Sequence, residues 1–166
     1  IVRHATSSWK DSGLSDDQRP LNKRGKRDAP FMAELIANKV ESKNPALLSS
    51  TAVRAFTTAK EFAIALGIKE KDIIQSDELY LADEDDILSE VKTFIDDYDT
   101  LFIFGHNPGL TYFANRVCDA DIANVPTSGV VCVTFDVDKW IDIGYGKGNL
   151  EYFEYPKKYL KESSDN

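Results

Sequence analysis

Short apolar runs alternate with segments of helical periodicity along most of the chain, and this alternation limits the fold more than any other feature. The runs at 46–49 and 100–104 have the length of buried strands. Between them, apolar residues recur every three or four positions, as they do on one face of a helix. This pattern is typical of an α/β domain with a mostly parallel sheet, which is the fold class that we predict.

Four helices are expected between the strands, and most of them have a start or stop signal. One helix is expected to start near Asn22, Asp83 can cap another, and Gly67 suits the C-terminus of a third. Pro30 removes a backbone donor inside the first helix, which predicts a kink or a later start. The last third of the chain indicates three more strands. The predicted helices begin near 22 and span about 51–66, 83–98 and 110–117, and the last three strands span 130–136, 141–145 and 150–155.

The length of the chain sets the number of domains. A chain of 166 residues with 42% hydrophobic content can bury one core and is too short for two ordinary domains. We predict a single domain over 1–156 and a polar tail at 157–166 that frays. The first apolar run is only Ile1-Val2, with no leader-like pattern, so we read no secretory signal. Unless the first strand is simply short, we expect a few of its residues to precede Ile1.

Charge and composition argue against several classes of function. A formal charge of −8 disfavours a protein that binds nucleic acid or a membrane surface by neutralising phosphates. No apolar run approaches the roughly 20 residues of a membrane-spanning helix. The two cysteines, Cys118 and Cys132, form neither a Cys-x-x-Cys pair nor a zinc pattern. We therefore expect a reducing, cytoplasmic location.

Both histidines of the chain follow apolar runs, where a strand gives way to a loop. In an open α/β sheet such loops share a crevice at the carboxyl ends of the strands, so His4 and His106 can meet in the fold. Arg3 and Arg54 occupy similar places, and the planar donors of Arg suit phosphate oxygens. A helix start near Arg54 adds backbone donors for an anion. Each residue alone can serve a structural role, but together they predict a phosphate site.

Metal chemistry finds little support in the sequence. Two histidines without carboxylates at ligand spacing do not indicate a metal phosphatase. The acidic run at 83–86 lacks the Gly and the terminal Glu of a calcium loop, and the glycines at 144–148 lack the Lys followed by Ser or Thr of a P-loop. We predict that neither a metal nor a cofactor is needed. His and Arg can supply a nucleophile and charge stabilisation for phosphoryl transfer, although the residues alone do not choose between the two histidines.

Five short blocks occur in order along the chain: Arg3-His4-Ala5, then 19–25 (RPLNKRG), 49–55 (SSTAVRA), 105–109 (GHNPG) and 126–129 (PTSG). This series covers nearly the whole chain and resembles the histidine phosphatase superfamily, with the SixA-type phosphohistidine phosphatase branch as the best fit. The resemblance implies a three-layer α/β/α sandwich with a mostly parallel central sheet, as in phosphoglycerate mutase. Ala at position 5 and Thr at position 51 replace the usual Gly and Pro, but neither change removes a charged group.

The resemblance also implies roles for individual side chains. His4 is the expected nucleophile, which becomes transiently phosphorylated, while Arg3, Arg54 and His106 hold the phosphoryl group. Glu78 matches the region where esterases of the superfamily carry an acid for the leaving group. It can equally be a solvated carboxylate, because a phosphoramidate leaves with less help than an ester.

Three further residues are candidate substrate ligands. Arg19 matches a family position near the mouth of the site, where it can bind phosphate or a partner, or pair with Asp16 or Asp17. Ser7 and Ser8 can offer hydroxyls to the phosphate or cap their own backbone.

We therefore expect a metal-independent phosphatase that hydrolyses phosphohistidine on a protein partner through phospho-His4. The chain is too short for a large lid, which suits such a substrate. The alternatives are a broad phosphatase for small phosphomonoesters, with Glu78 as the acid, and a module that binds phosphorylated partners without turnover. Because His4 must be neutral to attack, we expect nearby Arg charges to lower its pKa below about 6.5.

Overall fold

The computed structural model describes residues 1–161 and folds them into α-helices on a β-sheet. Residues 162–166, the end of the predicted polar tail, lie outside the described residues. Strands β1 to β6 are Val2–Arg3, Pro45–Ser50, Ile74–Ser76, Thr100–Gly105, Val130–Phe135 and Gly148–Glu154. Helices α1 to α4 are Lys23–Ala37, Val53–Leu66, Glu84–Lys92 and Gly109–Cys118.

The strands form one sheet in the order β3-β2-β4-β1-β5-β6. Strands β1 to β4 pair in parallel, and β5 and β6 are antiparallel at one edge. The prediction of a mostly parallel sheet is confirmed. The register sets Val2 beside Phe104 and Arg3 beside Gly105. The carboxyl ends of β1 and β4 therefore lie side by side, and each is followed directly by a histidine.

Helices cover both faces of the sheet. Successive side chains of a strand point to opposite faces, so Leu47 and Leu48 belong to different cores. Helices α1 and α2 pack with Leu47 and Phe104 on one face, and α3 and α4 pack with Leu48 and Ile103 on the other. The expected three-layer α/β/α arrangement is confirmed.

The predicted helix signals act as expected in three places. The Asn22 side chain accepts a hydrogen bond from the Gly25 N–H at 2.8 Å, and the Asp83 side chain caps α3 in the same way. Gly67 ends α2 in the left-handed conformation, with φ of 71°. Helix α1 begins directly after Asn22 and runs through Pro30, so the later start predicted from this proline is wrong.

The sequence prediction differs from the structure in three elements. The strand predicted at 141–145 is wrong, because Trp140–Asp142 form a 3₁₀ turn. The Trp140 indole N–H donates to the Tyr98 carbonyl at 3.1 Å, which ties this turn to the segment after α3. Helix α3 ends at Lys92, before the predicted limit at 98. Strand β3, Ile74–Ser76, was not predicted, since it is a short edge strand with two exposed residues.

The described part of the predicted tail packs against the domain. The Tyr159 ring lies 6.0 Å from the Phe31 ring, and its hydroxyl donates to Glu154 at 2.5 Å. Arg27 donates to the Lys161 carbonyl at 3.3 Å. Residues 157–161 are therefore held in place, where the prediction had a frayed tail. Within 1–161, no helix has the length and apolar character needed to cross a membrane.

An apolar cavity of about 520 Å³ lies between β4 and β5. Ile1, Leu101 and Val131 are among its lining residues, which places it near the start of β4. Neither His4 nor His106 lines it, because both follow the opposite ends of their strands. This cavity is therefore separate from the predicted phosphate site. The expectation that residues precede Ile1 stays a prediction.

Candidate active site

Backbone hydrogen bonds hold His4 on both sides. The His4 N–H donates to the Gly105 carbonyl at 3.1 Å, and the His4 carbonyl accepts from the Ser128 N–H at the same distance. The Arg3 N–H donates to the Gly129 carbonyl at 3.0 Å. The blocks at 105–109 and 126–129 thus flank the end of β1, and the His4 side chain is only 8% exposed.

The segment after His4 is joined to α2 by Thr58. The Ala5 N–H donates to the Thr58 hydroxyl at 2.9 Å, and this hydroxyl donates to the Arg54 carbonyl at 2.8 Å. One buried hydroxyl therefore ties the loop after His4 to the first turn of α2, which carries Arg54. The Thr6 carbonyl also accepts from the Asn22 N–H, and a Cβ at Gly25 would lie 2.2 Å from that carbonyl oxygen. This close approach explains why glycine occupies that position.

The His4 imidazole is oriented by its own loop. Its Nδ1 lies 2.7 Å from the Ala5 carbonyl oxygen, which can only accept, so Nδ1 carries the hydrogen. The lone pair is therefore on Nε2. Burial is the main factor that lowers the pKa of His4 to about 4, and the charges of Arg54, Arg3 and Arg19 lower it further. The predicted direction of the pKa shift is confirmed, although burial contributes more than the arginines.

His106 lies beside His4, with 5.2 Å between the ring centroids. Its Nε2 is 2.8 Å from the Ser50 hydroxyl oxygen, which already accepts from the Ala52 N–H. The buried Ser50 hydroxyl has no other acceptor among the described residues, so we assign it as the donor and place the hydrogen of His106 on Nδ1. Among the described residues this buried Nδ1 has no hydrogen-bond partner. Burial chiefly lowers the pKa of His106 to about 3, with a further contribution from His4, so both rings are neutral at pH 7.

Two of the predicted arginines flank these rings. Arg54 is 3% exposed and Arg3 is partly buried. Arg3 donates from Nη1 to the Val125 carbonyl at 3.1 Å, and burial together with the Arg54 charge lowers its pKa. The Nε atoms of both arginines are buried without a partner among the described residues. Unpaired donors near two neutral imidazoles form a site for an anion rather than a cation.

The third arginine, Arg19, is buried between two loop residues. Its Nη1 donates to the Ser7 hydroxyl at 2.8 Å, and its guanidinium carbon lies 3.5 Å from the centre of the Trp9 ring. Its Nε donates to Asp16 at 3.1 Å. The ion pair that the sequence left as an alternative to phosphate binding is therefore present, and its partner is Asp16 rather than Asp17.

Comparisons with known proteins address the family directly. A model of the histidine phosphatase superfamily (branch 1) matches residues 1–80. A solved structure from Agrobacterium tumefaciens, assigned as the phosphohistidine phosphatase SixA, is 28% identical, with a TM-score of 0.77 over 93% of this chain and 95% of that chain. These two matches support the histidine phosphatase superfamily, in its SixA-like branch, and a phosphatase activity.

Two further solved structures have the same fold, and one curated sequence matches most of the chain. A tungstate complex of the protein histidine phosphatase SixA aligns with a TM-score of 0.77 over 96% of this chain and 97% of that chain, at 22% identity. A mycobacterial glucosyl-3-phosphoglycerate phosphatase aligns less closely, with a TM-score of 0.63 over 91% of this chain and 95% of that chain, at 11% identity. An uncharacterized protein of Mycobacterium tuberculosis is 28% identical over 94% of this chain and 100% of its own length.

The other predicted residues, Glu78, Ser7 and Ser8, differ in the contacts that they make. Glu78 is exposed, and its carboxylate forms no hydrogen bond or ion pair with a described residue. Ser7 supports Arg19, as described above. Ser8 accepts from the Lys10 N–H at 3.1 Å, which is the backbone cap that the sequence left as an alternative.

Two residues of the site were missed from the sequence. The sequence indicates Asp16 only as a partner of Arg19, but Asp16 also accepts hydrogen bonds from Arg54. Tyr80 was not considered, although it lies two positions after Glu78 and its ring meets the His106 ring edge-on at a centroid distance of 5.5 Å. No motif or regular spacing in the sequence links Asp16 or Tyr80 to the two histidines. Within the described part of the chain, no cluster of His, Cys, Asp or Glu is suited to hold a metal ion.

Proposed function

We propose that this protein hydrolyses phosphohistidine on a protein partner through a covalent phospho-His4 intermediate. The observation that carries the proposal is the His4 ring itself. Its Nδ1 is engaged by the Ala5 carbonyl, so the lone pair of Nε2 is the available nucleophile. The lowered pKa keeps the ring neutral near pH 7, and three arginines lie close enough to affect that pKa.

In the first step, His4 Nε2 attacks the phosphorus atom of the substrate. The bond from phosphorus to the substrate imidazole nitrogen breaks, and that nitrogen keeps the electron pair. A protonated imidazole leaves as a neutral ring, so no enzyme acid has to donate a proton. Arg3, Arg54 and the Nδ1–H of His106 are placed to stabilise the negative charge on the equatorial oxygens.

In the second step, water attacks the phosphorus atom of phospho-His4. The bond to Nε2 breaks, inorganic phosphate leaves, and the neutral imidazole is restored once the proton of the attacking water has been released to solvent. The same arginines and His106 stabilise both transition states, because the phosphoryl oxygens occupy the same place in each. His4 and these three groups are therefore proposed as the catalytic residues.

The carboxylates near the site favour a phosphoramidate substrate over an ester. An alkoxide leaving group needs a proton donor, which contributes about 10²- to 10⁴-fold in rate. Asp16 is a poor donor, because hydrogen bonds and nearby arginines lower its pKa to about 2. Glu78 is exposed and unbonded, and we do not assign it as an acid in phosphohistidine hydrolysis. No metal step enters this mechanism.

A protein partner is the proposed carrier of the phosphohistidine. Trp9 is 77% exposed and stacks on Arg19, so it presents an aromatic surface beside the site. The neighbouring structure with tungstate is a protein histidine phosphatase, which supports the same substrate class here. Nucleic acid and membrane partners are not proposed. The unpaired Cys118 and Cys132 support a reducing compartment, and we propose the cytoplasm.

The test compares two substrates at equal phosphoryl concentration. A histidine-containing protein domain, phosphorylated chemically with phosphoramidate, is one substrate, and a sugar phosphate is the other. Release of inorganic phosphate is measured for the wild type and for His4→Ala, after subtraction of spontaneous hydrolysis. We expect turnover of the phosphoprotein to exceed that of the ester by at least about 100-fold, and to be lost in His4→Ala.

Three results would overturn the proposal. Equal or faster hydrolysis of the sugar phosphate would favour the broad phosphatase for small esters. Tight binding of the phosphorylated domain without phosphate release would favour a binding module. Unchanged turnover in His4→Ala would exclude the proposed nucleophile for either substrate.

A further inference from the structure

Asp16 connects three side chains across the mouth of the site. One carboxylate oxygen accepts from Arg54 Nη2 at 3.0 Å and from the Tyr80 hydroxyl, and the other accepts from Arg19 Nε at 3.1 Å. The Asp16 backbone carbonyl also accepts from Arg54 Nη1 at 2.8 Å. A single residue therefore holds one whole edge of the Arg54 guanidinium.

These contacts leave part of Arg54 available to a ligand. A guanidinium has five N–H donors, and Asp16 engages one on each Nη atom. The remaining donors include the buried Nε–H, which has no partner among the described residues. Arg54 is thus fixed by its outer edge while donors remain for an anion. A long side chain held in this way loses less conformational freedom when the ligand binds.

The charges around Asp16 also fit a phosphoryl group. The charges of Arg3, Arg19 and Arg54 all act on His4, and the pKa of Arg3 is lowered by burial and, to a smaller extent, by the charge of Arg54. A carboxylate between Arg19 and Arg54 offsets the repulsion between these two. Three guanidinium groups with one carboxylate leave two positive charges, which match the roughly two negative charges of a phosphoryl group.

Tyr80 fixes the carboxylate itself. Its hydroxyl donates to the oxygen that Arg54 also uses, while its ring packs edge-on against His106. Asp16 is 42% exposed, so its ion pairs alone would be weakened by solvent, but the side chains of Arg54 and Arg19 are 4% and 9% exposed. The hydroxyl links the 3₁₀ turn Asp16–Gln18 to the side of the site formed by His106.

We propose that Asp16 is a positioning residue which, held by Tyr80, orients Arg54 and Arg19 toward the phosphoryl group. The inference rests on the proposed function where it concerns kcat and KM. Its test by anion binding does not depend on turnover. Asp16 bonds Arg19, Arg54 and Tyr80 and forms no hydrogen bond with His4. The rival reading is that the Asp16 carboxylate competes with the substrate for Arg54, and the two readings predict opposite signs for the effect of removing the charge.

The experiment measures tungstate binding by calorimetry, together with kcat and KM on the phosphohistidine domain. The variants are Asp16→Asn, Tyr80→Phe and the control Asp17→Asn. Asp17 is the adjacent carboxylate, and it bonds Ser15 and Gln18 rather than an arginine. We expect Asp16→Asn to bind tungstate about 10-fold more weakly and to lower kcat by about 10- to 100-fold. Tyr80→Phe should change both quantities in the same direction by less, and Asp17→Asn should leave both unchanged.

Each other outcome is decisive. Tighter or unchanged tungstate binding in Asp16→Asn, with an unchanged melting temperature, overturns the inference. If Asp16→Asn does not fold, Tyr80→Phe decides, and unchanged binding and kcat in that variant overturn the inference as well. A wild type that binds tungstate but does not hydrolyse phosphohistidine contradicts the proposed function, while the binding arm still tests Asp16.

Discussion

Two neighbouring segments, the floor at 3–6 and the rim at 8–18, are held in the fold by different means. Main-chain hydrogen bonds on both sides of His4 fix the floor, and the Ala5 N–H adds a buried bond to Thr58. The rim is mostly exposed, and its only described helical element is the 3₁₀ turn Asp16–Gln18. Its links to the site are made largely by the side chains of Asp16 and Trp9. Backbone hydrogen bonds thus place His4, the proposed nucleophile, whereas side-chain contacts hold the guanidinium groups of Arg19 and Arg54.

Arg54→Ala tests the residue that joins floor and rim, and it has the largest expected effect. The Arg54 carbonyl bonds Thr58, while its guanidinium bonds Asp16 and contributes charge near His4. Loss of the guanidinium should lower kcat/KM on the phosphohistidine domain by about 10³-fold, or about 4 kcal/mol. Steady-state kinetics measure the effect. Arg116→Ala, which removes a half-exposed arginine paired with Glu84, is the control. A loss below 10-fold would show that Arg54 is not part of the phosphoryl site.

Thr58→Val tests whether the floor is a stability element. The substitution keeps the shape of the side chain but leaves the buried Ala5 N–H without its acceptor. We expect the free energy of unfolding to fall by about 1–3 kcal/mol, measured by denaturant titration. Thr57→Val removes a hydroxyl that bonds only the Val53 carbonyl and should cost less than about 0.5 kcal/mol. Equal costs for the two variants would show that the bond from the Ala5 N–H to Thr58 does not stabilise the floor.

The pH dependence of stability tests the buried, neutral histidines. Their pKa values in the folded state, about 4 for His4 and about 3 for His106, lie below the unfolded value near 6.5. As the pH falls below 6.5, the unfolded state therefore takes up protons first, and the folded state loses stability down to the folded pKa values. Above pH 6.5 both histidines are neutral in the folded and the unfolded state, so they cause no further change of stability with pH.

Between pH 7 and pH 5 the loss should be about 1–2 kcal/mol for each histidine. The lowered pKa of Asp16 acts in a separate window, because its contribution is lost only below pH 3.8. Denaturant unfolding at the two pH values measures the change, and His106→Asn should reduce the slope. A stability that rises toward pH 5 would contradict the assignment of two neutral rings.

Trp9→Ala tests the rim and has the smallest expected effect. The ring is largely exposed and stacks on Arg19, so its removal should leave the free energy of unfolding within about 0.5 kcal/mol of the wild type. The loss of the cation–π contact should raise KM for the phosphoprotein by about 2- to 5-fold, equivalent to about 0.5–1 kcal/mol. Leu14→Ala, another exposed apolar change on the rim, is the control. A large loss of stability would show that the rim is as firmly built as the floor.

The floor, and the residues and helix ends that surround it, could be predicted from the sequence. Their determinants are local or lie in recognisable blocks. His4 and His106 each follow a buried run, and the parallel pairing of β1 with β4 brings such strand ends together. Gly67 and Asn22 mark helix ends through backbone chemistry that depends on few neighbours. Arg54 follows from its place in the first turn of α2.

The rim could not be predicted, because its contacts join positions far apart in the chain. Asp16 bonds Arg54 across 38 positions and Tyr80 across 64, and no periodicity records such a pairing. The family resemblance points to Glu78 as the acid of this segment, yet Tyr80 is the residue whose ring contacts His106. The wrong strand at 141–145 has a similar cause, since long-range hydrogen bonds of Trp140 override an apolar run.

The most direct test of the central claim is to trap the phosphoenzyme and locate its phosphate. The enzyme is mixed with the radiolabelled phosphohistidine domain, quenched in alkaline detergent to preserve P–N bonds, and digested for mass spectrometry. We predict an acid-labile phosphate on the peptide that contains His4, formed and lost at rates that match turnover, and absent in His4→Ala. A phosphate on His106, or turnover in His4→Ala close to that of the wild type, would contradict the account.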